Sequence, residues 1–394
     1  MADYIPFITS EESGNLVNKV YSDAEVVRVS LDRVKKVRHL LPASSKVWLD
    51  PCVDGMDDLG ARRSQPDKRN SWFDFMSGFA NFEKIAMPAY HAKPEASEVY
   101  AFVKEIMDKC TACKPAWITV PQLPLVSGSD RNKINRLMAA ATGNWKSSSG
   151  FPGRLILPLV LTHQKQVNRK TARNPKVQQA ERCYQESQAD GLWVVDMSLE
   201  DDSGSPILRN RRFPGLIDLH EELNLRISSK IRIAGPYWGL NLVLWARGLV
   251  DHPAIGIGAG YRYLPVGLPG RPPLPKLALP SLRRRVGIKP QFRNWLDQAI
   301  AKLAASHPAR AEFSGIKKNF AALSVFDRAR EQVAGFYKQW FSAIATAPKA
   351  GRSMALFQDL SAAYALGKSL PDLADEGTAR RPEAVAEPLM LSCL

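Results

Sequence analysis

From residue 4 to residue 257 the chain repeats one pattern: a short apolar run rich in β-branched or aromatic residues, then a polar stretch compatible with a helix. The runs are residues 4–8, 24–29, 46–49, 84–87, 116–120, 154–161, 191–195, 230–234 and 254–257. The stretches between them include 31–41, 95–109, 132–141, 176–190, 214–223 and 239–248. In the second of these, Val99, Phe102, Val103 and Ile106 recur at the spacing of one helix face. Strands alternating with helices imply βαβ units and a parallel sheet. Runs that are apolar throughout, rather than at every second residue, suit strands buried on both faces. A run count close to eight favours an α/β fold of the closed (β/α)8, TIM-type barrel kind, placed here at residues 1–265, over an open doubly wound sheet. The open sheet gains no support from motifs: no G-x-G-x-x-G follows an early strand, and no G-x-x-x-x-G-K-[ST] occurs.

Beyond the barrel the composition changes. Residues 266–290 are rich in Pro, which neither a helix interior nor a central strand accepts, so an extended connector is expected. A basic helical region is expected at 291–371, with helical patterns over 292–306, 309–346 and 353–370 and breaks at Gly315 and Gly335. The polar tail 372–394 is expected to be loose. Residues 271–352 hold 16 Lys/Arg against 4 Asp/Glu, an excess of 12 in a chain of net charge +15. Within this region Arg283, Arg284 and Arg285, with Lys276 and Lys289 nearby, read as a stripe contacting nucleic-acid phosphates. The interleaved aromatics, from Phe292 to Phe341, read more simply as the core of a helical unit docked on the barrel.

Composition narrows the function classes. Hydrophobic residues make up 45% of the 394, enough for a large core. Five cysteines do not make a disulfide-stapled scaffold, which suggests reduced thiols and a cytoplasmic setting. No apolar run approaches the ~18 residues that span a bilayer, and the first residues lack a basic-then-apolar secretory pattern. A soluble protein with no membrane partner is therefore expected, and a homodimer is compatible with it. Cys110-Thr-Ala-Cys113 is a lone C-x-x-C; the second pair of a structural zinc site is missing, so no metal and no cofactor are expected. No G-x-S-x-G elbow supports serine-nucleophile chemistry.

In parallel barrels chemistry sits where strands end at their carboxyl side. Those ends supply Asp50, Gln122, His163, Asp196, Gly235, Tyr237, Gly258 and Tyr261. Carboxylates and amides suit the edge of a flat, hydrogen-bonding heterocycle, and aromatics suit its face. Asp50 and Asp196 are the catalytic candidates; Gln122, His163, Gly235, Tyr237, Gly258 and Tyr261 are the base-binding ones. The plain alternatives are an N-cap or structural ion-pair partner for Asp50, and a satisfied polar residue for His163. Replacing Asp50 by Asn is expected to spare the fold, because a polar residue facing a pocket carries little of the core.

The order of these segments resembles the tRNA-guanine transglycosylase-like barrels, which exchange guanine for a 7-deazaguanine base. KVWLDP, ending on the Asp50 strand, looks like that family's strand with its first base-binding aspartate. RLILPLVLTHQ, VQQAERCYQESQADGLWVVD and KIRIAGPYWGLNLVLWARG follow in the family's order, and VDHPAIGIGAGYRY takes the place of the strand that bears its nucleophile. That last segment has Gly256, Gly258 and Gly260 where an aspartate would stand, and Gln122 stands where a second base-reading aspartate would. The resemblance implies a protein handling a guanine or 7-deazaguanine base linked to a nucleic acid or another macromolecule, in a setting such as DNA modification or anti-phage defence. Two readings follow from it. One is a pentosyltransferase in which Asp50 manages the base's proton and Asp196 is nucleophile or recognition group. The other is a degenerate barrel that binds a modified base or nucleic acid without turnover.

Overall fold

The computed structural model describes residues 3–58, 71–125, 130–162, 175–197, 199, 212–257, 275–373 and 380–394. Eight parallel strands close into one barrel in chain order: β1 (Ile5–Ile8), β2 (Val26–Ser30), β3 (Lys46–Asp50), β4 (Trp117–Thr119), β5 (Arg154–Leu161), β6 (Gly191–Asp196), β7 (Ile231–Ala234) and β8 (His252–Gly256). Closure is made by β8 lying beside β1, with Ile5 opposite Ala254 and Phe7 opposite Gly256. Eight of the nine apolar runs are these strands. The exception, residues 84–87, lies at the short helix Phe82–Ile85, where Phe82 and Ile85 turn inward under Trp72 and Phe73. A four-residue run with three apolar positions is too short to separate a strand from a buried helical turn by pattern. No helix among the described residues is long and apolar enough to cross a membrane.

The barrel's interior is filled by aromatic rings. Phe7, Trp48 and Trp193 meet edge to face, with centroids 5.4–5.5 Å apart, and Trp117 and His252 lie below them. Two of the indoles have partners: Trp48 donates to Thr119 Oγ1 at 2.9 Å and Trp193 to the Gly235 carbonyl at 2.8 Å. Such rings supply much buried area, and their pairing adds about 0.5–1.5 kcal/mol each.

After the barrel the Pro-rich stretch does not stay an extended connector. Residues 276–287 form an antiparallel hairpin of β9 (Lys276–Leu279) and β10 (Arg284–Gly287). Gln332 completes it, accepting from the Ala278 N–H and donating to the Ala278 carbonyl, so a side chain serves the open edge of β9. Helices Pro290–Lys302, Pro308–Lys318, Phe320–Leu323, Phe326–Ala345 and Arg352–Ser369 follow. Gly315 and Gly335 lie inside helices rather than breaking them; the interruptions fall near Asn319 and Ser324. The chain's end is likewise not loose where it is described: helix Ala386–Ser392 buries Ala386, Pro388 and Leu389.

The aromatics beyond residue 290 do form a core, in two parts. Phe292, Trp295 and Phe313 pack with the hairpin. Tyr337, Trp340 and Phe341 join the barrel's own core, where Phe341 meets Tyr4 and Trp245 while Trp340 and Tyr337 meet Trp238. The boundary at residue 265 therefore does not separate two cores.

Candidate functional site: the carboxyl end of the barrel

Asp50 and Asp196 are the last residues of β3 and β6, so both lie at the carboxyl end of the barrel, as Gln122 and Gly235 do just beyond β4 and β7. Each carboxylate is closed on an arginine. Arg28 of β2 stands beside Trp48 in register and reaches Asp50 with Nε at 2.9 Å and with its terminal nitrogen. The other Asp50 oxygen accepts the Cys52 backbone N–H at 2.8 Å. The guanidinium also lies over Phe7 and Trp193, at 4.8 and 5.6 Å from their centroids. Asp50 is 1% and Arg28 3% exposed. Removing one member of such a pair strands the other charge and costs about 3–5 kcal/mol. Asp50 thus holds a buried ion pair in the barrel's upper layer, and on this geometry Asp50→Asn is expected to cost stability rather than spare the fold.

Asp196 pairs with Arg212, which caps the helix Phe213–Arg226; both are buried. Its backbone N–H donates to the Tyr237 hydroxyl at 2.6 Å. Burial, and then the nearby Asp196 charge, push the Tyr237 phenol well up, so it stays a neutral hydroxyl. Lys176 is lowered by burial and by Arg212, which puts a second cation in this neighbourhood.

Gln122 and Gly235 hold local structure. Gln122 Nε2 donates to the Asn135 carbonyl at 2.9 Å, and the Asn135 amide is bonded both ways to the backbone of Leu123. This lashes the segment after β4 to the helix Arg131–Ser149. Gly235 has φ +90°, and a Cβ there would come 2.3 Å from Asn241 Oδ1. Glycine is needed for the turn, with its carbonyl given to Trp193. His163, Gly258 and Tyr261 lie outside the described residues.

The arginine triplet is turned inward instead of forming a surface stripe. Arg283 holds Asp359 through Nε at 2.7 Å and lies by the Phe336 and Trp340 rings. Arg284 donates to the Arg381 and Pro382 carbonyls, and Arg285 sits 4.9 Å from the Trp238 ring centroid. Arg284 and Arg285 are 0% and 1% exposed. Lys289 caps the helix Pro290–Lys302 and is half-buried. Charge counted along a sequence cannot separate guanidiniums that lash helices together from those that face solvent.

One residue at this end of the barrel escapes the sequence reading. Asp32 lies two residues beyond β2, and the next residue but one back, Ser30, is opposite Asp50 in register. Its side chain is 2% exposed, it pairs with Arg33 Nε at 3.6 Å, and neither carboxylate oxygen has a hydrogen-bond partner. Cys52, left-handed at φ 56° and fully buried, is close by. Its thiol is pushed well up by burial and by Asp50, with Asp54 and Asp32 adding to this, so it is no thiolate nucleophile. Applying the strand-end rule one run earlier, to VSLD after residues 24–29, would have found Asp32. Nothing in the sequence marks its carboxylate as uncommitted while that of Asp50 is taken. Among the described residues no group of three or more His, Cys, Asp or Glu is arranged to hold a metal ion.

Compared with known proteins, the chain matches no family model and no curated protein sequence.

Proposed function

We propose that this protein is a transglycosylase-like barrel that binds a guanine-type base, carried on a nucleic acid or another macromolecule, at the carboxyl end of its strands, without using Asp50 or Asp196 for covalent exchange. The observation that carries the reading is the contrast among three carboxylates. Asp50 and Asp196 are closed on Arg28 and Arg212, and a lone pair held by a guanidinium is a poor nucleophile and a poor base. The Asp32 side chain is about as buried, and apart from a 3.6 Å ion pair with the neighbouring Arg33 its two oxygens have no hydrogen-bond partner. An ionised carboxylate held out of water without donors is costly, by several kcal/mol in a protein interior. A ligand presenting two adjacent N–H donors, as the N1–H and amino group of guanine do, would return that energy through a paired contact. Of the two readings open from the sequence, binding without turnover at these residues is the better supported.

Calorimetric titration of guanine and 7-deazaguanine bases tests this, together with an assay for exchange of labelled guanine into tRNA and DNA. Wild type should bind such a base and transfer none. Asp32→Asn should weaken binding by about 1–3 kcal/mol, the cost of a mispaired buried polar group. Absence of binding by wild type would end the proposal. Transfer that is abolished in a folded Asp196→Asn variant would restore the catalytic reading.

A further inference from the structure

The helices Arg131–Ser149 and Pro175–Ser187 leave between them an open groove of about 660 Å3. It runs along the first half of the first helix, from Asn132 to Ala140, and along the second from Gln178 to Glu186. Its apolar surface comes from Leu137 and Ala140, both half-buried. Around this stand Lys133, Arg136 and Arg182, with the amide of Gln178. The single acidic side chain lining it, Glu186, gives Oε1 to Arg136 at 2.7 Å, while its Oε2 is buried. Lys133 is 59% exposed and tied only to the exposed Asp130 and a backbone carbonyl, contacts that solvent competes for. Arg182 is exposed and has no ion-pair or hydrogen-bond partner among the described residues.

We infer that this groove binds single-stranded nucleic acid, its phosphates on Lys133 and Arg182 and one unpaired base against Leu137 and Ala140. Three features favour this occupant. Three cations, Lys133, Arg136 and Arg182, line the groove against one carboxylate, and cations match phosphate oxygens. The apolar strip suits the face of an unpaired base, which a duplex would keep stacked and hidden. And the arginines counted on for phosphate in the C-terminal region are committed internally, whereas Arg182 is not. The inference rests on the proposed function only in taking the base's carrier to be nucleic acid.

The test is fluorescence anisotropy with labelled 12-nucleotide single-stranded DNA and RNA over a salt series. The proteins are wild type, Arg182→Glu, the double variant Lys133→Glu/Arg182→Glu, Arg182→Lys, and Lys104→Glu as a control on a different helix. Wild-type affinity should fall with salt, by about 0.7 log units per log unit of salt for each phosphate neutralised on a single strand. Arg182→Glu should lose at least tenfold in affinity and the double variant more, with a shallower salt slope. Arg182→Lys and Lys104→Glu should stay within about threefold of wild type, and all melting temperatures should be unchanged because these side chains are exposed. The DNA and RNA arms identify the carrier. Wild-type affinity in the double variant, equal loss in Lys104→Glu, or capture of poly-glutamate but no oligonucleotide would each overturn the inference. Failure of the groove with guanine still binding at the barrel leaves the proposed function standing. Failure of guanine binding with oligonucleotide binding intact does the reverse.

Discussion

The barrel's upper layer shows how much a single strand-end residue can hold. Asp50 has its two oxygens divided between Arg28 and the Cys52 N–H, and Arg28 in turn lies over Phe7 and Trp193. Asp50→Asn keeps the shape but leaves Arg28 as a buried charge facing a neutral amide. It should therefore lose about 3–5 kcal/mol of stability. The double variant Arg28→Met/Asp50→Leu should lose less than Asp50→Asn, since it strands no charge. Urea titrations of the three proteins settle the order. Asp50→Asn within 1 kcal/mol of wild type, on the order of ordinary surface changes, would mean the pair is hydrated and open to ligand after all.

At the scale of elements, two helical glycines have opposite meanings. Gly143 lies where the helix Arg131–Ser149 crosses Pro175–Ser187, and a Cβ there would meet the Glu186 carbonyl oxygen at 2.2 Å. That backbone atom cannot rotate aside, so Gly143→Ala must push the helices apart. The expected cost is about 1–3 kcal/mol, as for other overpacking changes, despite alanine's better helix propensity. Gly335, inside Phe326–Ala345, has nothing within 4 Å of the same point. Gly335→Ala should stabilise by roughly 0.5–1 kcal/mol. Thermal denaturation of both variants checks the signs, and equal shifts in one direction would show that propensity rather than helix contact governs this layer.

For the whole molecule, the C-terminal helices complete the barrel as much as they dock on it. Tyr21 donates to the Ala334 carbonyl, Lys338 pairs with Asp23, and Asp23 also accepts from the Tyr4 hydroxyl. Arg330 donates to the Ile257 carbonyl just beyond β8, while Trp238 and Trp245 are covered by Tyr337, Trp340 and Phe341. Unfolding in guanidinium should therefore be one transition, with tryptophan fluorescence and far-ultraviolet dichroism coinciding. A fragment of residues 1–274 would expose these aromatic faces and should show no cooperative transition and little near-ultraviolet dichroism. A sharply melting fragment would instead mark the barrel as an independent domain.

The barrel was legible in the sequence because strand burial on both faces leaves an apolar run at each strand, and eight of nine such runs are strands. The helix face of Val99, Phe102, Val103 and Ile106 was legible for the same reason: burial selects residue type at every turn. What only the tertiary structure decided is which charges are spent. Asp50 and Asp196 read alike as strand-end carboxylates while Asp32, two residues past its strand, escapes that reading, and nothing local tells Arg182 from Arg284. They differ through partners far along the chain: Asp50 through Arg28, Asp196 through Arg212, Arg284 through the carbonyls of Arg381 and Pro382. Apolar burial is non-directional and leaves its mark in composition, whereas an ion pair is set by the position of two side chains in space, which local sequence does not encode.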